Sequence, residues 1–202
     1  MNLHRWPAIK RSAIHTHCDN SNTLIRTILR KGPCDGPGEF AAELSLGDIA
    51  HFAGADLALR CSQSFDWKNI DLRRTIIGII VLWIQRAYPN MDDLAVMRDI
   101  AALDGWSKGE VTPDLTDRGD ALSKAVTAMS PEPPHTSDEI AIMQIWMLMQ
   151  VALENKIAVC RWTNYGAASV AIVGSQLISD ARNDLEETAR QIQDIVERFP
   201  RT

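Results

Sequence analysis

Apolar positions along this chain recur mostly at helical spacing, and the polar residues between them supply start and stop signals. "NSNTLIRTILRKGP" predicts a short amphipathic helix: Asn20 to Asn22 offer caps, Leu24, Ile25, Ile28 and Leu29 share one face, and Gly32-Pro33 stops it. "GPCDGPG", Gly32 to Gly38, is a loop, since no helix interior tolerates that density of Gly and Pro. From Glu39 to Ala53 the pattern is helical again, with Ser45 and Asp48 at capping-box spacing. Gly54 breaks it, and Asp56 caps a further turn or two through Phe65. Asp71 opens a longer helix that runs to Pro89. Its Ile and Val content makes a buried strand the competing reading, and its length favours helix.

Asn90, with Asp92 and Asp93 in the first turn, starts a helix whose face is Leu94, Met97, Ile100, Ala101 and Leu103, ending at Asp104-Gly105. Residues 105 to 119 read as polar connection, followed by a short helix from Asp120 to Met129 and the stiff Pro-rich "SPEPPHTS", Ser130 to Ser137. Ser137 caps the next segment, and "IAIMQIWMLMQVAL" from Ile140 to Leu153 is apolar almost all round, as a central buried helix is. Lys156 to Ile178, with "GAASVAIVG", fits a close-packed helix or a strand, and helix is preferred. In the last segment Leu185, Ala189, Ile192, Val196 and Phe199 recur at +4, +3, +4, +3, with Glu186/Arg190 and Asp194/Arg198 as i, i+4 pairs beside them. That makes two heptads, short of the three or four that define a coiled coil.

The fold class that follows is all-α: a single helical domain of about six to eight helices over residues 20–199, preceded by an irregular arm, 1–19. The Pro-rich connector 130–137 marks a subdomain boundary, and the Ile140 to Leu153 helix is expected to pack against the Asp71 to Tyr88 segment.

Composition narrows the function classes. With 202 residues and 46% hydrophobic content the chain can bury a core without staples. Its cysteines, 18, 34, 61 and 160, form no CxxC pair, and the N-terminus has no signal-type apolar stretch, so a reducing, cytoplasmic setting is expected. The longest apolar run, Ile76 to Ile84, is far short of the ~20 residues a bilayer requires, and no membrane span is expected. The net charge of -5 is unevenly spread: residues 1–31 carry six Lys/Arg, among them Lys10 and Arg11, against Asp19 alone. Such a basic segment suits a solvated arm or contact with phosphates.

"LSLGDIAHFAGADLALRCSQSF", Leu44 to Phe65, resembles the first half of the helix-turn-helix motif of bacterial regulators. Ile49-Ala50 and Gly54 fall where that motif has an apolar residue, a small contact residue and a turn glycine, because two helices crossing steeply need close approach and a positive φ. "FDWKNIDL" resembles the segment after the reading helix in the tetracycline-repressor class. The resemblance implies DNA reading by residues 56–65, with Arg60, Ser62 and Gln63 meeting a groove and Lys10 and Arg11 on phosphates. The second half departs from the motif: six and nine residues after Gly54, where apolar residues belong, stand Arg60 and Gln63. The apolar face is instead Leu57, Cys61 and Phe65.

Metal and catalytic chemistry has weaker support. His15, His17, Cys18 and Asp19 with Cys34-Asp35 lack zinc-ligand spacing. Glu39, Glu43 and the Asp48-x-x-His51 pair would need a second carboxylate-x-x-His helix, which Glu132 to His135, with its two prolines, cannot supply. His51 is expected to be a partly buried, hydrogen-bonded residue. No phosphate-binding loop, dinucleotide fingerprint, HExxH or nucleophile elbow is present, so no metal, cofactor or catalytic residue is assigned.

Of the six Trp residues, Trp83 and Trp146 lie in apolar runs and are expected in the core, while Trp6, Trp67, Trp106 and Trp162 have polar neighbours and are candidates for a contact surface. The leading reading is a non-catalytic α-helical binding protein (adaptor, regulator or assembly component) acting through a protein partner or self-association. Its contact residues would be Leu185, Ile192, Val196 and Phe199, with Trp106 and Trp162. The alternative is a helix-turn-helix transcriptional regulator; the third is an enzyme without a recognisable motif.

Overall fold

The computed structural model describes residues 9–10, 43–89, 91, 93–129, 135–153 and 163–200. Among these the fold is all-α, with eight helices and one two-residue antiparallel pairing. The chain divides into two compact units, Met1–Asp66 with Ile178–Thr202, and Trp67–Leu177. The Pro-rich connector joins two helices of the second unit, and its residues 130–134 lie outside the described residues.

In the first unit β1 (Ile9–Lys10) pairs antiparallel with β2 (Glu43–Leu44), Ile9 opposite Leu44. The stretch expected to be an irregular arm is therefore pinned at this point, and Ile9 is buried. Glu43 and Leu44, expected within a helix, are strand instead. Ser45 then caps α1 (Leu46–Ala53) in a complete capping box: its Oγ accepts from the Asp48 amide at 3.0 Å, and Asp48 Oδ2 accepts from the Ser45 amide at 3.1 Å. Gly54, at φ 91°, ends α1 and opens α2 (Ala55–Ser62), a backbone conformation that glycine adopts without strain. The cap of α2 is thus Gly54 rather than Asp56, and the chain turns after Ser62 instead of continuing helically to Phe65.

The last helix of this unit, α8 (Leu185–Arg198), packs on α1 and α2. Asp184 caps it, accepting from the Glu187 amide at 2.9 Å. Ile49, Ala50, Leu57, Ala58, Cys61, Ile195 and Phe199 form the buried set shared by these helices, and the Phe65 and Phe199 rings stack at 6.5 Å.

The second unit holds α3 (Ile70–Ala87), α4 (Leu94–Ser107), α5 (Leu115–Ala128), α6 (Ser137–Leu153) and most of α7 (Thr163–Asp180). The Ile- and Val-rich run is helical: its 18 residues exceed the length of an ordinary strand, and Leu72, Ile76, Ile80 and Ile84 are buried at helical spacing. Its cap is Asn69, accepting from the amides of Asp71 and Leu72. Asp93, not Asn90, caps α4, and α4 continues through Gly105 to Ser107. Its buried side is Val96, Ile100, Leu103 and Trp106, so the face read from sequence is rotated: Leu94 and Met97 stand 70% and 51% exposed, and Ala101 is exposed as well.

Helix α5 starts at Leu115, earlier than the expected Asp120, since Leu115, Gly119 and Leu122 supply a face for α6. Thr136, rather than Ser137, caps α6 in a second capping box with Glu139. α6 lies against α3 as expected, where Arg73 Nη1 donates to the Val151 carbonyl at 3.2 Å, and also against α4 and α5. The small-residue segment is helical over Thr163–Asp180, and 156–162 lie outside the described residues. No helix among the described residues is long and apolar enough to cross a membrane.

Candidate interaction surface

The residues nominated for partner contact separate on α8. Its fully buried side is Gln191, Ile195 and Phe199, the latter two at 1% exposure, whereas Ile192 and Val196 are half-buried, Ala189 is exposed and Leu185 is 83% exposed. Successive residues on an α-helix are ~100° apart, so this docking line is rotated roughly 80° from the centre of the apolar stripe Leu185, Ala189, Ile192, Val196, Phe199. The helix thus spends one edge of its stripe within the unit and leaves the other open.

Two local contacts enforce that rotation. The first is Gly47 on α1, which brings α1 against the backbone of Val196 and Phe199. The second is the Thr188 hydroxyl, which donates to the Ala181 carbonyl at 3.2 Å and the Asp184 carbonyl at 2.9 Å, setting the entry of α8. Gln191 then occupies the docking line where an apolar residue would be expected, and its Oε1 has no hydrogen-bond partner among the described residues. On the open side the stripe is bordered by Glu186, Gln193 and Glu197. Arg190 pairs with Glu186, and Gln193 Nε2 donates to Glu197 Oε1 at 3.0 Å.

The Trp candidates among the described residues are buried. Trp106 is 8% exposed and lies in the second unit, with the Arg74 guanidinium 5.5 Å from its ring centroid, a cation-π contact that covers rather than presents it. Trp67 is likewise buried. Trp162 and Trp6 lie outside the described residues.

The nucleic-acid candidates are scattered in environment. Ser62 is 1% exposed and its Oγ donates to the Leu59 carbonyl at 2.6 Å, so it faces inward. Arg60 is half-buried and holds Asp56 at 2.8 Å, one turn back on the same helix. Gln63 is half-buried in the turn after α2. Lys10 sits in β1, its side chain outside the described residues together with Arg11. Ile49 and Ala50 are buried and Gly54 makes the turn, as the helix-turn-helix resemblance implies. Leu57 and Cys61, the face the apolar pattern predicted, are buried in α2, and so are Ala55, Ala58, Leu59 and Ser62.

Charged groups elsewhere serve structure. Arg118 on α5 bridges Asp99 of α4 at 3.1 Å and Asp114 at 2.9 Å. Burial pushes the Asp99 carboxyl above its ordinary value, and the Arg118 contact only partly offsets that. Asp48 is committed to the capping box, and His51 is exposed against Phe52 instead of buried. No group of three His, Cys, Asp or Glu among the described residues is placed to hold a metal ion. The stripe edge on α8 is the feature sequence reasoning half found: periodicity marked the stripe, but Ile195, its chief anchor, lay off it. Compared with known protein families, curated proteins and solved structures, the chain matches none.

Proposed function

We propose that this chain is a non-catalytic α-helical binding protein that acts through protein-protein contact, with the open edge of α8 as its contact surface. The observation that carries this reading is the offset between stripe and docking line. Leu185, Ala189 and the outer sides of Ile192 and Val196 form an apolar line on a helix already anchored along the adjoining edge by Ile195 and Phe199. Leaving such a line in water forgoes roughly 25 cal/mol for each Å² that a partner would cover. An anchored helix presents that line without the ordering cost a free segment would carry on binding. Residues at +4, +3, +4 spacing are suited to an apolar helix from another protein or a second copy.

The test is size-exclusion chromatography with light scattering on the full chain and on Ile192→Asp, with circular dichroism to establish folding. The expected result is a wild-type complex, with itself or with an added candidate partner, that the folded variant no longer forms. A folded Ile192→Asp protein with an unchanged complex overturns the assignment to α8. Co-elution with nucleic acid that declines steeply with salt would favour the regulator reading instead.

A further inference from the structure

We propose that α8 is a two-position helix: turned roughly 80° about its own axis against α1 and α2, it buries the apolar stripe that it now leaves open. In the observed position the chain offers the contact surface proposed above, and in the turned position it withdraws it. The inference adds regulation to that surface and rests on that reading for its purpose, while the turn itself needs no partner.

Three observations carry it. The first is a flaw in the docking line. Gln191 is 2% exposed and its Oε1 has no hydrogen-bond partner among the described residues, so the packing that buries it also opposes itself. Ile195 and Phe199 are the apolar anchors of that line. The second is what the turn exchanges. At ~100° per residue, a turn of ~80° brings Leu185 to the direction Ile195 now holds, with Ile192 and Val196 on either side of it and Ala189 next to Val196. Gln191 swings to the solvent side, roughly 120° from the docking direction. Glu186, Glu187, Arg190, Asp194, Glu197 and Arg198 then all lie roughly 100° or more from that direction, whereas Arg198 and Glu187 now stand roughly 60° and 80° from it. The stripe is thus the better-segregated face of the helix, and α8 docks through the other.

The third observation is a pivot with two latches. Phe199 belongs to both lines: it stands roughly 40° to one side of the docking direction now and roughly 40° to the other side after the turn, so it anchors the helix in either position. The observed position is held by the Phe199 carbonyl against Gly47 and by the Thr188 hydroxyl, which donates to the Ala181 carbonyl at 3.2 Å. These are few and local contacts, set against an apolar stripe that the turn would bury. Two packings of one helix so separated form an equilibrium that a ligand of one position shifts toward it.

Methyl relaxation-dispersion NMR on the full chain tests this at Ile192, Ile195 and Val196. The expected result is one shared two-state exchange with a minor population of about one per cent, unchanged by dilution. Leu185→Asp should cut that population about tenfold or more, because the side chain is buried only in the turned position. Leu185 is 83% exposed in the observed one, so the variant folds. Gln191→Leu, which removes the unmet amide from the observed docking line, should lower the population as well. Absence of exchange, or exchange that either substitution leaves untouched, overturns the proposal. Exchange cut by Gln191→Leu alone marks simple undocking of α8, which leaves Leu185 in water in both states. Exchange that grows with protein concentration is self-association through the stripe; it overturns the turn while supporting the contact-surface reading. No partner enters the measurement, so its failure is distinct from failure of Ile192→Asp to disrupt a complex.

Discussion

The carbonyl oxygen of Phe199, at the end of α8, rests on the α-carbon of Gly47 in α1, where a Cβ would come within 2.0 Å of it. That approach fixes both the distance and the rotation of the two helices. It is the reason α8 docks through Ile195 and Phe199 and leaves Leu185 outside.

Gly47→Ala should therefore undock α8 or displace it along α1. The oxygen belongs to backbone and cannot swing away as a side chain would, so the cost is expected at about 2 kcal/mol or more. Urea unfolding of the two proteins measures it, and near-identical midpoints would contradict the packing described.

Two substitutions on α8 separate the docking line from the apolar stripe. Ile195→Ala should cost about 2–4 kcal/mol, since it opens a cavity between α8 and α1, whereas Leu185→Ala should fall within about 0.5 kcal/mol of wild type. The sequence stripe alone, which contains Leu185 and omits Ile195, predicts the reverse order. Thermal denaturation of both variants decides between them.

Asp99 gives a pH dependence of definite sign. Its folded carboxyl titrates above the unfolded one, mainly through burial. The folded state therefore holds the proton more tightly, and stability falls as pH rises from the unfolded carboxylate value through the raised folded one. Asp99→Asn, which does not titrate, should match wild type in acid and gain on it toward neutral pH. Arg118→Met should do the opposite at neutral pH, leaving an ionised Asp99 without its 3.1 Å partner. Denaturant midpoints of the three proteins at acid and neutral pH test this; a wild-type advantage over Asp99→Asn that grows with pH would sink it.

Glu139 has the contrary sign. The amide and hydroxyl of Thr136 donate to Oε2 and hold its carboxyl below the ordinary value. The stabilisation is present above the unfolded carboxylate value and is lost as pH falls through the lowered folded one. Thr136→Ala should raise the Glu139 pKa toward that of a free glutamate, which a carbon-detected NMR titration of the side-chain carboxyl would register. An unmoved titration curve would show that the second capping box does not form in solution.

How far the sequence reaches is visible in particular elements. The Ser45/Asp48 capping pair was legible although the helix was read from Glu39 rather than from Leu46, and Gly54 marked both the end of α1 and the corner with α2, because caps and turns are chemistry among neighbours a few residues apart. Periodicity likewise announced α3, α4, α6 and α8, and the helical preference over residues 163–178 agrees with α7. Length chose helix over strand for the Ile-rich run.

What one-dimensional pattern could not supply was the neighbour across each face. Ile9 is strand because Leu44 lies beside it, and nothing local to either residue encodes the other. The burial of Trp106 depends on Arg74 covering it from α3, and the outward turn of Leu94 and Met97 on α4 taking its contacts through Val96, Ile100 and Leu103. On α8 the sequence determined an amphipathic helix and its apolar stripe. Only tertiary structure decided which edge of that stripe is used within the unit, since one glycine, Gly47, admits the Phe199 carbonyl and turns the helix about its axis.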